Sequence, residues 1–337
     1  MIWLLVAKNE FKRSLKNKKK LILTLLLPLI SIVAAIGVNS FMKPSISIGV
    51  IENEYTNRAI EEVFNEVDGV KLIKANEETI NTDMILAKYI GVVKFKEDNT
   101  FDVYCLDKNI KATLKDCISE TTNSGKTERI KNLISTIKEE NLSIAQRSNG
   151  FIFITLIITC TMSATVLLKD KDDGILKRYS TAPNNLYSYI LGNYVYNTVN
   201  TITQVLISAL LLYLLRIDIG ISIYQFIFIG FIMSVMASSI ATFITVISKG
   251  ELQASLLASS IALIIALFGG SFLPIEKMPE VLKFISNISI TKWILELTYF
   301  IEKGIYYEGS LFIVVGIIVL SMITIYASIK IGKKKLC

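Results

Sequence analysis

The sequence predicts a mainly α fold: a six-helix integral membrane protein with an inserted extracellular α/β domain. Three observations predict it. Six apolar segments lie near 21–41, 149–168, 186–215, 221–248, 252–272 and 311–329, and a hydrocarbon core of roughly 30 Å takes about 20 helical residues to cross. A single hydrophilic stretch, 42–148, separates the first segment from the other five. Over 337 residues the chain is 52% hydrophobic and 19% charged, too apolar for an ordinary soluble domain. Helices are the simplest structure that satisfies its own backbone in lipid.

The net charge of +7 is placed in a way that sets topology and argues against a nucleic-acid partner. Lys8, Lys12, Arg13, Lys16, Lys18, Lys19 and Lys20 precede the first segment, and Lys330, Lys333, Lys334 and Lys335 follow the last. Lys169, Lys171, Lys177 and Arg178 follow the second, and Lys249 follows the fourth. These lysines crowd span ends instead of forming a stripe with interleaved aromatics. By the positive-inside rule both termini are cytoplasmic, while 42–148, 216–220 and 273–310 lie outside. The Ile-, Lys- and Asn-rich composition suggests an AT-rich bacterial coding sequence, hence a multi-pass protein of the bacterial cytoplasmic membrane. Segment 21–41 ends in Val38-Asn39-Ser40-Phe41, which offers no small-x-small cleavage site, so it reads as a retained span and not as a signal peptide.

Residues 1–20 pattern as an interfacial helix with Trp3 and Phe11 dipping inward, and Pro28 adds a kink to the first span. In the insert, 47–51, 90–93 and 100–105 read as strands, and 57–67 and 128–139 have helical spacing. Cys105 and Cys117 share this domain and either form a disulfide or are unpaired neighbours. With no histidine and only two further cysteines, Cys160 and Cys337, the usual zinc and serine–histidine constellations are absent, so no catalytic, cofactor or metal residue is assigned.

The third span places Asn193, Asn197, Asn200 and Gln204 on one helical face. Amides facing lipid are costly, so this face either lines a path or packs by hydrogen bonds against another helix. Thr155/Thr159, Ser234/Ser238 and Ser255/Ser259 are four-spaced hydroxyl pairs that permit close helix packing. Segment 169–183 contains Lys169, Asp170, Asp173, Gly174, Ile175, Leu176, Arg178 and Tyr179 and stops at Pro183. It suits a short surface helix docking on a soluble partner, or else a solvated connection. Gly269 and Gly270 open a stretch that includes Met278 and is broken by Pro274 and Pro279. The run 281–300, with Trp293, is a poor span and reads as one or two helices at the outer leaflet.

In order and topology these pieces resemble the permease subunit of an ABC-2 type exporter, of the branch with a large extracellular domain between the first two transmembrane helices. The resemblance rests on the basic lead ending at Pro28, the strand at 47–51, the Asp173-Gly174-Ile175-Leu176-Lys177-Arg178 segment running to Pro183, and Gly269-Gly270-Ser271-Phe272-Leu273-Pro274 through Met278-Pro279 to Trp293. Asp170 and Asp173 stand where such permeases often carry glutamate, and Ile290 stands where a proline commonly precedes the tryptophan. The resemblance implies a domain plan of 1–41 as elbow and first span, 42–148 as the extracellular domain, and 149–337 as the remaining spans. Within the last, 169–183 is the coupling helix and 275–303 the outer-leaflet helices. It also implies ABC ATPase subunits as partners, which bind the ATP and Mg²⁺, and a second identical or related permease. The cargo is an unidentified exported substrate. No Gly-x-x-x-x-Gly-Lys-Ser/Thr phosphate loop occurs in the chain, so ATP hydrolysis falls to the partner. The rival readings are a secondary transporter, which should show an inverted repeat or midplane ionisable groups, and a membrane sensor, which should show a signalling output.

Overall fold

The computed structural model describes residues 2–16, 18–41, 46–51, 70–77, 79–80, 83, 89, 91–96, 100–105, 111–112, 114–116, 119, 142–181, 186–272, 275, 278, 280–305 and 308–335. The chain forms two compact units, Met1–Asn39 with Leu142–Cys337, and Ser40–Asn141.

The smaller unit is built on a four-stranded sheet of order β2-β1-β3-β4, with β1 at Ile46–Ile51, β2 at Val70–Lys74, β3 at Gly91–Phe95 and β4 at Phe101–Tyr104. Strand β1 pairs in parallel with both β2 and β3, and β3 pairs antiparallel with β4. Three of these strands coincide with the sequence expectation. β2 was not expected, because Val-Lys-Leu-Ile-Lys shows too few residues of alternation to stand out. A side chain at Gly49 would come within 2.9 Å of Val92, so the centre of the sheet is packed through a residue without Cβ. The helical patterns at 57–67 and 128–139 lie outside the described residues.

The larger unit begins with α1 (Ile2–Lys16) and α2 (Lys18–Phe41). Pro28 sits inside α2, where it cannot donate to the preceding turn. The Ser31 hydroxyl donates to the Pro28 carbonyl at 2.6 Å and in turn accepts from Thr155 at 3.3 Å. Helix α3 (Ile144–Ala164) runs through Thr165 into α4 (Val166–Asp172), and α5 (Ile175–Thr181) follows a turn. After these come α6 (Leu186–Leu214), α7 (Ile223–Ile247), α8 (Glu251–Phe268), two short helices α9 (Glu280–Ser286) and α10 (Ile290–Glu302), and α11 (Glu308–Lys335).

Among the described residues five helical stretches are long and apolar enough to cross a membrane: Ile144–Asp172, Leu186–Leu214, Ile223–Ile247, Glu251–Phe268 and Gly309–Lys335. The protein is therefore a mainly helical, multi-pass membrane protein. The first expected span, 21–41, corresponds to α2, whose apolar run, Leu26–Val38, is shorter than the other five. The second expected span starts earlier than 149, because Ser143 and Gln146 form a reciprocal capping box that begins α3 at Ile144.

Helices α3 and α7 are mostly buried, whereas α8 and α11 keep most of their apolar surface exposed. Small residues set the closest approaches. Ala254, Ala258, Ala262 and Ala266 make the buried stripe of α8. At Gly230 a Cβ would lie 2.2 Å from Val205, so α6 and α7 pack backbone to side chain there.

Candidate functional site

At the lysine-rich end of the larger unit, α4 stops where Asp173 and Gly174 close a turn. The Asp173 amide donates to Lys169 O at 2.9 Å and the Gly174 amide to Lys171 O at 3.0 Å. Gly174 has φ +70° and open space around its missing Cβ. Glycine is favoured there by backbone conformation, not by crowding. Helix α5 is two-faced. Leu176 is fully buried in a cluster with Val6, Leu167, Leu186 and Tyr189, while Ile175, Lys177 and Arg178 are exposed. Asp172 and Asp173 before the turn and Lys169 in α4 are exposed as well. The result is a small mixed-charge surface with one exposed aliphatic, held by a buried leucine. Pro183 lies outside the described residues.

Asp170 does not belong to that surface. Sequence order groups it with the exposed residues of 169–183, but it is fully buried at the end of α4. Arg13 Nη1 donates to its Oδ1 at 2.8 Å, and the Tyr189 hydroxyl donates to its Oδ2 at 2.5 Å. The hydrogen bond to Asp170 raises the Arg13 pKa, which keeps the guanidinium charged. One carboxylate thus ties α1, α4 and α6 together. Tyr179 of α5 packs edge-on against Tyr189, ring centres 5.1 Å apart, and burial pushes its phenol up. Helix α1 lies directly on α6, since a Cβ on Gly192 would come within 2.7 Å of both Trp3 O and Val6 Cβ. Sequence reasoning missed Arg13 and Tyr189 as partners of Asp170, and only the Arg13 charge hinted at them.

The amide face of α6 turns into the bundle. Asn193, Asn197 and Gln204 are fully buried and Asn200 is half-buried. Asn197 Nδ2 donates to Asn193 Oδ1 at 2.8 Å, Asn200 Nδ2 donates to Ser163 Oγ at 3.3 Å, and Thr159 Oγ1 donates to Gln204 Oε1 at 2.9 Å. Two of these four amides therefore meet α3. Toward α7, Thr198 and Ser238 share a hydrogen bond of 2.8 Å. Of the four-spaced pairs, Ser234 and Ser238 each satisfy the hydroxyl with the carbonyl four residues back, with Ser238 bonding Ser234.

At the opposite end, Gly269 ends α8. A Cβ there would come within 2.4 Å of Thr291 Cβ, and Gly270 has φ +91°. Met278 is buried, and Pro274 and Pro279 lie outside the described residues. Trp293 Nε1 donates to Asn287 O at 3.1 Å, which fastens the start of α10 to the turn after α9. Asn149 Nδ2 donates to Thr298 Oγ1 at 3.1 Å and Gln146 Nε2 to Leu295 O at 3.2 Å, so α10 is held against α3. Arg147, read from sequence as the edge of the hydrophilic insert, is buried inside α3. The capping box at Ser143 was the signal that would have placed it in the helix. Cys105 is half-buried and Cys117 lies outside the described residues. Among the described residues no three His, Cys, Asp or Glu side chains converge as a metal site.

Residues 117–302, more than half of the chain, match the family of ABC-2 type transporters. The chain belongs to that family. It is a transmembrane permease component of the kind ABC exporters use, a transport part without catalytic activity of its own. Membership implies ATPase subunits and a second permease as partners. The matched region contains α3 through α10 and every residue of the mixed-charge surface described above. No curated protein matches the chain.

Proposed function

We propose that this permease pairs with a second identical or related copy in the bacterial cytoplasmic membrane, and that α5 with its preceding turn is the surface that seats on a partner ATPase. In this reading α2 is the first of six spans and both termini are cytoplasmic. Residues 42–148 form the extracytoplasmic domain of the branch that carries one between its first two spans, and α9 and α10 lie at the outer leaflet. ATP and Mg²⁺ reside in the partner, and the cargo moves outward at the interface of the two permeases.

The carrying observation is the two-faced α5. Leu176 anchors it inside the fold, and Ile175, Lys177 and Arg178 remain exposed beside Asp172, Asp173 and Lys169. A helix docking in a groove needs such a surface, with an apolar contact surrounded by charges of both signs. Asp170 takes a positioning role. Through Arg13 and Tyr189 it links the base of this surface to α1 and α6, so a push on α5 reaches the elbow and a span together. The burial of the α6 amides within one chain favours helix packing for Asn193, Asn197, Asn200 and Gln204 over contact with cargo.

The test is affinity isolation from native membranes in mild detergent. An ATPase should co-purify with the wild-type chain and be lost from an Ile175→Glu/Arg178→Glu variant that still reaches the membrane and keeps its melting temperature. Equal co-purification by the two chains would remove α5 as the coupling surface.

A further inference from the structure

A polar cavity of about 290 Å³ opens between α1, α2, α4, α6 and α8 at the lysine-rich end. Glu10, Arg13, Thr24, Lys169, Tyr196 and Glu251 line it, with serine and threonine hydroxyls of α1 and α3 between them. Glu10 and Thr24 are buried, so it is a built recess and not a shallow surface groove. Its wall carries both signs. Arg13 sits 3.8 Å from Glu10 and also holds Asp170, and a guanidinium keeps further N–H donors after these contacts.

The helices that bound the recess turn apolar at once. Helix α2 contributes Thr24 to the cavity and exposes Ile22, Leu26 and Ile30, and α8 contributes Glu251 and exposes Leu252, Leu256 and Leu263. In a membrane those faces meet hydrocarbon. At about 290 Å³ the recess is at the low end of the roughly 300–1,000 Å³ of drug-sized sites, which suits a head group whose tail stays in the bilayer.

We propose that this recess binds the head group of an amphiphile that carries both an ammonium and a phosphate or carboxylate. The ammonium faces Glu10 and Glu251, and the acidic group faces Arg13 and Lys169. A head of one sign alone would meet like charge on part of the wall. The proposal deepens the permease reading by naming the chemistry of a molecule bound at its spans. Binding is read without any ATPase, and although Lys169 borders both surfaces, Glu251 belongs to the recess alone, so the Glu251→Gln result separates failure of this site from failure of the α5 docking surface.

The test uses the full chain in maltoside micelles, with bound lipid counted by native mass spectrometry. Phosphatidylethanolamine should bind at least tenfold more tightly than phosphatidic acid or hexadecylamine. That preference should collapse in Glu251→Gln and in Lys169→Gln, whose exposed positions allow the variants to fold, as checked by an unchanged melting temperature. Equal binding of the three probes, or a preference that survives both replacements, would overturn the assignment. The source of the ligand is read from the same spectra. Phosphatidylethanolamine retained at one copy per chain from native membranes identifies a resident lipid; an empty site that fills with the added zwitterionic lipid identifies a cargo site.

Discussion

Asp170 and Arg13 lie 157 positions apart and meet at 2.8 Å, and the cost of separating them depends on which is removed. Arg13→Ala leaves a fully buried carboxylate with only the Tyr189 hydroxyl, a loss of about 3 kcal/mol by the precedent of broken buried pairs. Asp170→Ala leaves a half-exposed guanidinium that water can solvate, so its cost is smaller, about 1–2 kcal/mol. Melting of the three variants in one detergent should show the double mutant losing less than the sum. Two surface residues act through other physics. Arg216 has φ +53° at the end of α6, where the Ile217 amide reaches Leu212 O at 3.0 Å. This is a helix stop that normally takes glycine, so Arg216→Gly should raise stability by roughly 1 kcal/mol. In the smaller unit, the hydrogen bond from Lys96 holds the Asp102 carboxyl below its usual range. A depressed folded-state value contributes stability above the unfolded pKa and loses it as pH falls through the folded one. Acid unfolding should therefore begin at higher pH in Lys96→Ala than in wild type.

At the scale of elements, close approaches decide which helices are neighbours. Gly230 meets Val205 where α6 crosses α7. Gly230→Ala should overpack this contact by about 1–3 kcal/mol, and Val205→Ala in the same chain should restore much of the loss by vacating the space. Three of the four strands and the stretches corresponding to the longer helices were legible in the sequence, because alternation and 20-residue apolar runs are local patterns. The α4–α5 break was only partly legible. Lysines and aspartates at 169–173 suggested one surface segment through Pro183, yet the fold divides it at Gly174, keeps Lys169 exposed and buries Asp170. Charge pattern cannot make that division, since a residue's exposure at a helix end depends on what packs over it. The face of α6 carrying Asn193, Asn197 and Gln204 was legible as polar, but its packing partner, α3, was not.

For the whole molecule, the larger unit places α3 and α7 at the interior and leaves α8 and α11 largely exposed, an arrangement suited to a membrane protein whose outer helices meet lipid or another copy. The proposed topology makes a direct prediction. In a background with the native cysteines replaced, Lys171→Cys should react with an impermeant maleimide only in inside-out vesicles, and Lys111→Cys only in intact cells. The opposite labelling pattern would reverse the orientation and take the α5 surface away from any cytoplasmic ATPase.

By itself the sequence determined that this is a multi-pass helical membrane protein with a hydrophilic insert, and its ordered motifs pointed to the permease family. Hydrophobic length and lysine placement are properties of the linear chain, and the bilayer reads them segment by segment. Only the tertiary structure decided that Asp170 is a buried tie to Arg13 and Tyr189, that Arg147 lies inside the helix bundle, and that Glu10, Thr24 and Glu251 share one recess. Each of these depends on groups brought together across more than a hundred residues or by the packing of helices from separate segments, and the cost of burying charge is set by that environment instead of by neighbours in sequence.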